Sequence, residues 1–443
     1  MKKLCCLTML FGVLSMVLAP QLCFGNGFAL YEGSARGNAL GGTLVGRADD
    51  PSALYYNPAG ITQLPGLQMM IGATAVIPSA DVATQFKGAQ TTTGTEDNWY
   101  FPPHFYTSYQ VSDAVWLGLG VFSPFGLGTE FDSDWPGRYN NYNAELQTVT
   151  VNPNLAVKVT DRLSMAAGLS AMWLNLKLEK KIDASRFLGN PNYNNPNVST
   201  YDVDSTLEGD NVGIGFNVAA HYKAFDWLAL GASYRSQVKQ NVSNADADFT
   251  KPSLALPAPL SQLYASWFND TNASGTVTLP DMLSLGAVFR PLERLSVEVG
   301  AIWTRWSSFD ELSFSFSQPI VVIPKPLTVV DQSVTSKDWH DVWRIQVGAE
   351  YRVTDWFDFR LGYIWDESPV PNATVDYLLP TDNRNLYSIG GGFHWQNWTT
   401  DVSYTYLTNE DRTVKARQSD GILDSEFKNV DAHLIGLSLS YKF

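Results

Sequence analysis

The sequence predicts an all-β fold, a fourteen-stranded antiparallel transmembrane β-barrel with an N-terminal hatch, or plug, inside its lumen. Segments that alternate apolar and polar residues recur along the chain, and short polar connections alternate with long ones between them. No apolar run after residue 25 reaches the roughly 18 to 20 residues that a membrane-spanning helix requires. A mature chain that enters a membrane must therefore do so as a closed barrel.

The N-terminus carries a predicted secretory signal peptide, residues 1–25. Lys2 and Lys3 precede the apolar stretch LCCLTMLFGVLSMVLA, and Gly25 permits cleavage before Asn26. All three cysteines lie in this peptide, so the mature chain has no thiol for a disulfide, a nucleophile or a metal site. Loss of the two lysines moves the formal net charge from −14 to −16, which argues against nucleic acid as a partner.

Residues 65–443 form the predicted barrel. In its final segment, AHLIGLSLSYKF, every second residue is large and apolar, and the residues between them are small or polar. One apolar and one polar face are typical of a wall that separates lipid from an aqueous lumen. The fourteen predicted strands are 66–77, 103–111, 114–124, 145–160, 162–180, 208–223, 226–240, 275–290, 293–309, 339–353, 355–367, 384–396, 398–408 and 429–443.

The connections between the strands indicate the orientation of the barrel. Tight turns such as VSDA, TDR and VTDW are typical of periplasmic hairpins, and the long polar connections between them are typical of extracellular loops. An even number of strands places both ends of the barrel chain on the periplasmic side. Most tryptophans near strand ends are interpreted as an interfacial girdle: Trp116, Trp227, Trp303, Trp306, Trp343, Trp356, Trp365, Trp395 and Trp398.

Residues 26–64 do not follow the strand pattern. The segment, NGFALYEGSARGNALGGTLVGRADDPSALYYNPAGITQL, contains short helix-compatible pieces that are interrupted by glycines. Its aromatic residues and few charges favour a folded plug over the alternative, a disordered periplasmic tail. We therefore expect these residues to form the hatch.

Several stretches resemble a known family. In chain order they include GFALYEGSARGNALGG, NPAG, GLGVFSPFGLGTEFDSDWPGRY, TVTVNPNLAVKVTDRLSMAAGL, LPDMLSLGAVFRPLERLS, DWHDVWRIQVGAEYRVTD, DESPVP and the terminal YKF. They resemble the FadL-type long-chain fatty acid and TodX-type aromatic hydrocarbon transporters of the outer membrane. The resemblance implies a fourteen-stranded barrel with a hatch, ligand capture by extracellular loops, an internal pocket and lateral release through a kinked third strand.

The resemblance also implies a gate where the hatch meets the kink. The implied gate residues are Asn57, Pro58 and Ala59 of the hatch, facing Ser123, Pro124, Phe125 and Gly126 of the third strand. A break is physically reasonable there because proline cannot donate a ladder hydrogen bond and glycine weakens pairing. The alternative is that SPFG only begins the following loop.

Three groups of residues are candidates for ligand contact. The resemblance places Phe28 at the pocket, where the alternative role is packing in the plug. Arg344 and Arg360 occupy predicted lumen-facing positions and are candidates for holding a carboxylate. The alternative is that they pair with Glu298 and Glu350, or with the hatch, and brace it.

The connection 252–268 is unusually apolar for an exposed loop and is a candidate for the outer capture groove. Packing against a neighbouring loop is the alternative. Its candidate ligand-contacting residues are Leu254, Leu256, Leu260, Leu263, Tyr264, Trp267 and Phe268.

The predicted function is passive uptake of hydrophobic compounds, such as long-chain fatty acids or aromatic hydrocarbons, across the bacterial outer membrane. No cofactor, metal or catalytic residue is predicted, because the five histidines are scattered and no GxSxG elbow is present. The expected partners are the hydrophobic ligand, outer-membrane lipid and lipopolysaccharide, and the expected state is a monomer. The alternatives are a general porin and an outer-membrane lipid hydrolase.

Overall fold

A computed structural model describes residues 27–324 and 327–443, so the predicted signal peptide and its cleavage site lie outside the described residues. Fourteen antiparallel strands form one closed barrel, as predicted. The barrel strands are β1 (Leu67–Phe86), β2 (Pro103–Gln110), β3 (Val115–Phe122 and Gly126–Glu130), β4 (Asn143–Lys158), β5 (Leu163–Asp183), β6 (Asp202–Phe225), β7 (Leu228–Arg235 and Val238–Thr250), β8 (Thr271–Leu279 and Met282–Leu292), β9 (Leu295–Thr304 and Glu311–Phe316), β10 (Gln332–Ser336 and Val342–Thr354), β11 (Phe357–Asp366), β12 (Arg384–Trp395), β13 (Trp398–Asn409 and Arg412–Val414) and β14 (Asp424–Lys442).

The remaining described elements are short. The helices are α1 (Ala35–Ala39), α2 (Ala53–Tyr56) and α3 (Leu260–Ala265), with 3-10 turns at Pro58–Gln63, Ala184–Leu188, Trp306–Ser308 and Gln418–Asp420. Further short strands lie at Ala89–Gly94, Val321–Pro324 and Leu327–Val330. No helix among the described residues combines the length and the apolar character that crossing a membrane requires.

The closure of the barrel is the pairing of β1 with β14, which runs from Gln68 opposite Lys442 to Gln85 opposite Asp424. Both strands therefore extend well beyond their predicted ends toward the long loops. The predicted strands end earlier because the apolar alternation weakens there. An apolar outer face is needed only where a strand meets hydrocarbon, so a strand that continues above the membrane can lose that pattern.

The outer surface of the wall carries the large apolar side chains that the alternation predicted. Ile214 is 67% exposed and Leu169 is 64% exposed, whereas Ser438 on the inner face is fully buried. The exposed tryptophans fit the girdle interpretation: Trp227, Trp343, Trp356, Trp365, Trp395 and Trp398. That interpretation is wrong for Trp116 and Trp306, which are buried inside the barrel.

The barrel encloses the N-terminal segment, residues 27–64. Glycines on the inner wall allow the two backbones to approach closely. A Cβ at Gly231 would lie 1.9 Å from the carbonyl oxygen of Val45, and a Cβ at Gly362 would lie 2.2 Å from the amide nitrogen of Gly41. The N-terminal segment thus packs directly against glycines of the barrel wall.

Candidate functional site

Strand β3 is interrupted at residues 123–125, which we call the strand break. Pairing with β4 stops at Phe122 opposite Thr150 and resumes at Gly126 opposite Gln147. Inside the break, the hydroxyl of Thr148 accepts from the Phe125 amide at 3.1 Å and donates to the Phe125 carbonyl at 2.5 Å. Because β3 continues after the break, the SPFG stretch interrupts the strand rather than ending it.

The N-terminal segment bonds directly to the strand break. The amide of Gly126 donates to the carbonyl of Phe28 at 2.9 Å, and the amide of Leu30 donates to the carbonyl of Pro124 at 2.9 Å. Ala29 and Phe125 form an antiparallel bridge between these two bonds. Residues 28–30 therefore act as a short substitute strand along the break.

The NPA residues, which were expected to face the Pro124 region, form their hydrogen bonds with other parts of the protein. The side-chain amide of Asn57 donates to the carbonyl of Val45 at 2.8 Å and to that of Ala220 on β6 at 3.0 Å. Ala59 belongs to the same buried apolar cluster as Phe122, the last residue before the strand break. The motif thus anchors the N-terminal segment next to the break, and the backbone hydrogen bonds to the break itself come from residues 28–30.

Phe28 packs against several aromatic rings. Its ring centroid is 4.7 Å from that of Trp306, 5.3 Å from that of Phe309 and 5.7 Å from that of Trp339. These contacts explain why Trp306 is buried instead of facing the membrane. Phe28 also lines an apolar cavity of about 30 Å³ together with leucines of β3, β4 and β5, which include Leu127, Leu146 and Leu176. This cavity is the candidate ligand pocket, and a ligand chain enters it only by displacing lining side chains such as the Phe28 ring.

The candidate pocket contains one buried ion pair. The ammonium of Lys337 lies 2.5 Å from the carboxylate of Asp376, and both side chains are less than 10% exposed. Lys180 is close enough to interact electrostatically with Lys337. This pair was not predicted from the sequence, because Lys337 lies between the two parts of β10 and Asp376 lies in the β11–β12 loop, and only the fold brings them together.

Arg344 and Arg360 both point into the barrel, as the alternation predicted, and both are paired with carboxylates of the protein. Arg344 lies 2.8 Å from Asp366, and its guanidinium carbon is 4.2 Å from the ring centroid of Tyr31. Arg360 lies 2.6 Å from Asp401. These contacts match the bracing alternative.

Glu350 is the centre of an ionic network at the end of the barrel that carries the short turns. Its carboxylate accepts from Arg36 at 3.0 Å, from Arg47 at 2.9 Å and from Arg360 at 2.7 Å. Arg36 and Arg47 belong to the N-terminal segment, so the wall residue Glu350 binds that segment through two cations. The network borders a polar cavity of about 350 Å³.

Glu32 in the N-terminal segment is held in an unfavourable position for a carboxylate. Burial raises its pKa above the ordinary value of 4.5, although Arg344 and a hydrogen bond from the Tyr31 amide at 2.9 Å oppose this shift. Burial also raises the pKa of Tyr31 to about 12. The segment therefore carries a carboxyl group whose charge is costly in the folded state.

The apolar loop is only partly exposed. Trp267 donates from its indole nitrogen to the carbonyl of Val322 at 3.0 Å, and the Phe268 amide donates to the carbonyl of Ile320 at 2.7 Å. Both side chains are 1% exposed, so these two residues follow the packing alternative and are not on the surface. Tyr264 is buried as well, whereas Leu254, Leu256, Leu260 and Leu263 remain partly exposed.

A closed fourteen-stranded barrel with an apolar outer face and an enclosed N-terminal segment defines an outer-membrane β-barrel protein. The family described as outer membrane protein transport protein (OMPP1/FadL/TodX) matches residues 16–443. The chain belongs to this family and is located in the outer membrane.

Individual relatives match over nearly the whole chain. A putative outer membrane protein of Neisseria meningitidis serogroup B is 29% identical, and a long-chain fatty acid transport protein of Escherichia coli is 25% identical; in both cases 97% of each chain is covered. The crystal structure of a FadL homologue of Pseudomonas aeruginosa is 21% identical and has a TM-score of 0.81, covering 94% of this chain and all of that one. This structural likeness shows the fold.

Proposed function

We propose that the protein takes up long-chain fatty acids passively across the outer membrane. The observation that carries this proposal is the apolar pocket beside Phe28, whose lining includes the Lys337–Asp376 ion pair. An acyl chain would gain free energy by leaving water for the leucines and aromatic rings, at about 0.8 kcal/mol for each buried CH₂ group. A carboxylate head group would compete with Asp376 for the ammonium of Lys337.

The proposed path begins at the long loops. Leu256, Leu260 and Leu263 are partly exposed and would capture the ligand, while Trp267 and Phe268 hold the loop together. The ligand would then enter the pocket next to Phe28. No covalent step is part of this path, so the proposed role is not enzymatic.

Release of the ligand would follow because residues 28–30 contact both the pocket and the strand break. Phe28 lines the pocket, and the backbone of the same segment bonds the strand break. A ligand that displaces the Phe28 ring would also draw these backbone groups away from Pro124 and Gly126. The opened break would let the acyl chain leave sideways into the bilayer, where its partners are outer-membrane lipid and lipopolysaccharide.

The hatch in this proposal is residues 26–64, and its anchors remain in place during transport. Asn57, Pro58 and Ala59 fix it to the wall next to the strand break. Arg344 and Arg360 brace it through Tyr31 and Glu350 rather than binding the ligand. The proposed unit is a monomer, because pocket, gate and anchors all belong to one chain.

A second candidate is uptake of aromatic hydrocarbons, favoured by the rings around Phe28. An uncharged ligand would make no use of Lys337. The substitution Lys337→Met tests which ligand is used, with Lys239→Met, an exposed lysine on β7, as the matched control. Cells that express each variant are supplied with labelled oleate and with labelled toluene.

We expect Lys337→Met to weaken oleate uptake roughly tenfold, the effect of losing a charge-assisted hydrogen bond, and to leave toluene uptake unchanged. Toluene uptake without oleate uptake by the wild-type protein would support the second candidate. A large steady single-channel conductance without uptake of either compound would show a general porin and refute both.

A further inference from the structure

Arg235 is an inward-facing arginine of β7 that has no carboxylate within ion-pair distance in the described part of the chain. Its guanidinium donates to the carbonyls of Leu54 and Tyr55 at 2.8 and 2.9 Å, and to the side-chain oxygen of Asn152 at 3.3 Å. It also lies 4.8 Å from the ring centroid of Phe122. Neutral groups alone therefore compensate this charge.

This arrangement differs from that of the other arginines inside the barrel. Arg47, Arg344, Arg360 and Arg384 each form an ion pair with an Asp or Glu. Arg235 is partly buried, and a cation that is partly shielded from water is still costly without a counter-charge, so its lack of a carboxylate partner requires an explanation. Capping the carbonyl end of α2 accounts for two hydrogen bonds but supplies no negative charge.

The position of Arg235 connects it with the strand break. Phe122, which packs against its guanidinium, is the last residue of β3 before the break and pairs with Thr150 of β4. The hydroxyl of Thr150 is buried and has no hydrogen-bond partner among the described residues. Asn152 is two residues further along the same inner face of β4 and contacts Arg235 directly.

We propose that Arg235, with Asn152 and Thr150, forms a carboxylate-binding site at the inner mouth of the strand break. This inference rests on the proposed uptake of fatty acids. A fatty acid that leaves through the wall must first move its acyl chain into lipid, and its head group would then remain beside the break. A cation with two polar neighbours at that position binds the carboxylate until the chain has left the lumen.

The proposed site predicts that the protein distinguishes a fatty acid from an alcohol of equal chain length. Uptake of labelled oleate and of labelled oleyl alcohol is measured in cells that express the wild-type protein, Arg235→Gln, Arg235→Lys or Thr150→Val. Arg294→Gln removes an exposed arginine at the β8–β9 turn and is the matched control. Folding of each variant is checked by its resistance to heat denaturation in the isolated outer membrane.

We expect Arg235→Gln to slow oleate uptake roughly tenfold and to leave oleyl alcohol uptake unchanged, as loss of one charge-assisted contact predicts. Arg235→Lys should restore most of the oleate uptake because it keeps the charge, and Thr150→Val should show a smaller loss that is also confined to oleate. The control should behave like the wild-type protein.

Equal losses for acid and alcohol in Arg235→Gln would show that Arg235 only supports the hatch carbonyls, and would overturn the site. An unchanged oleate rate in Arg235→Gln would overturn it as well. If the wild-type protein transports neither compound, the proposed function itself fails. The two failures are thus distinguished by the wild-type rate.

Discussion

The carbonyl of Phe28 accepts a hydrogen bond from the amide of Gly126 at 2.9 Å, while the ring of Phe28 lines the apolar pocket. One residue therefore contacts both the place where a ligand would bind and the place where the wall is interrupted. Unpaired backbone in a lipid-facing wall is tolerated only where protein or water covers it. Residues 28–30 supply that cover, and their position makes the cover sensitive to the contents of the pocket.

The network around Glu350 predicts a strong effect of a single substitution. Glu350→Gln removes the charge that Arg36, Arg47 and Arg360 share, whereas Arg36 keeps Asp49 and Asp50 and Arg360 keeps Asp401. We expect the free energy of unfolding to fall by about 1.5–3 kcal/mol, the usual worth of hydrogen bonds between charged groups. Thermal unfolding in detergent measures this loss.

The same substitution should loosen the N-terminal segment and produce transient conductance in planar bilayers. Glu293→Gln is the matched control because Glu293 is exposed at the β8–β9 turn. An unchanged unfolding midpoint and a silent conductance trace in Glu350→Gln would show that the network does not hold the segment.

The barrel wall was predictable from the sequence because the alternation of residues within each strand shows which side chains face the lumen and which face the lipid. Arg344 and Arg360 were placed on the inner face by alternation alone, and both are buried there. Gly348 and Gly362 also fell on that face. A close approach of the N-terminal segment could have been inferred from such small residues, since a Cβ at Gly348 would lie 2.3 Å from the Leu40 carbonyl oxygen.

The contacts inside the lumen were less predictable because they join residues that are distant in sequence. Lys337, at the interruption of β10, meets Asp376 only once the β11–β12 loop has folded against it. Arg235 meets Asn152 only through the register of four neighbouring strands. The hydrogen bond from Asn57 to Ala220 of β6 could not be predicted for the same reason. The motif identifies a segment of the hatch but not the wall strand beside it.

Glu32 predicts a pH dependence of stability. Burial raises the pKa of this carboxyl above 4.5, so the folded state binds its proton more tightly than the unfolded state does. The contribution of Glu32 to stability is therefore most favourable at low pH and is lost as the pH rises through the raised pKa. Arg344 and Arg384 face the group and reduce the shift without reversing it.

The test compares the thermal midpoints of the wild-type protein and Glu32→Gln at pH 4 and at pH 8. We expect the variant to gain stability relative to the wild-type protein between these two values, because glutamine has no charge to bury. A difference that is the same at both pH values would contradict a raised pKa. The comparison within each pH cancels the contributions of other titrating groups.

A reversible cross-link tests whether residues 28–30 must leave the strand break during transport. Ala29 and Phe125 are bridge partners, and partners in antiparallel pairs lie about 4.5–5.5 Å apart between Cα atoms, within the range of a disulfide. The mature chain has no cysteine after the predicted cleavage, so the double variant Ala29→Cys, Phe125→Cys adds the only pair. We expect oxidation to abolish oleate uptake and a reductant to restore it.

The control for this experiment is a second cysteine pair that cannot affect the break. Ala73→Cys with Leu437→Cys links β1 to β14, where the partners stay paired in any gated state. Oxidation of this pair should leave uptake unchanged, and mass spectrometry of the intact chain should show the loss of two hydrogens in both variants. Full oleate uptake by the oxidised Ala29–Phe125 variant would refute release through the break, because the cross-link holds its cover in place.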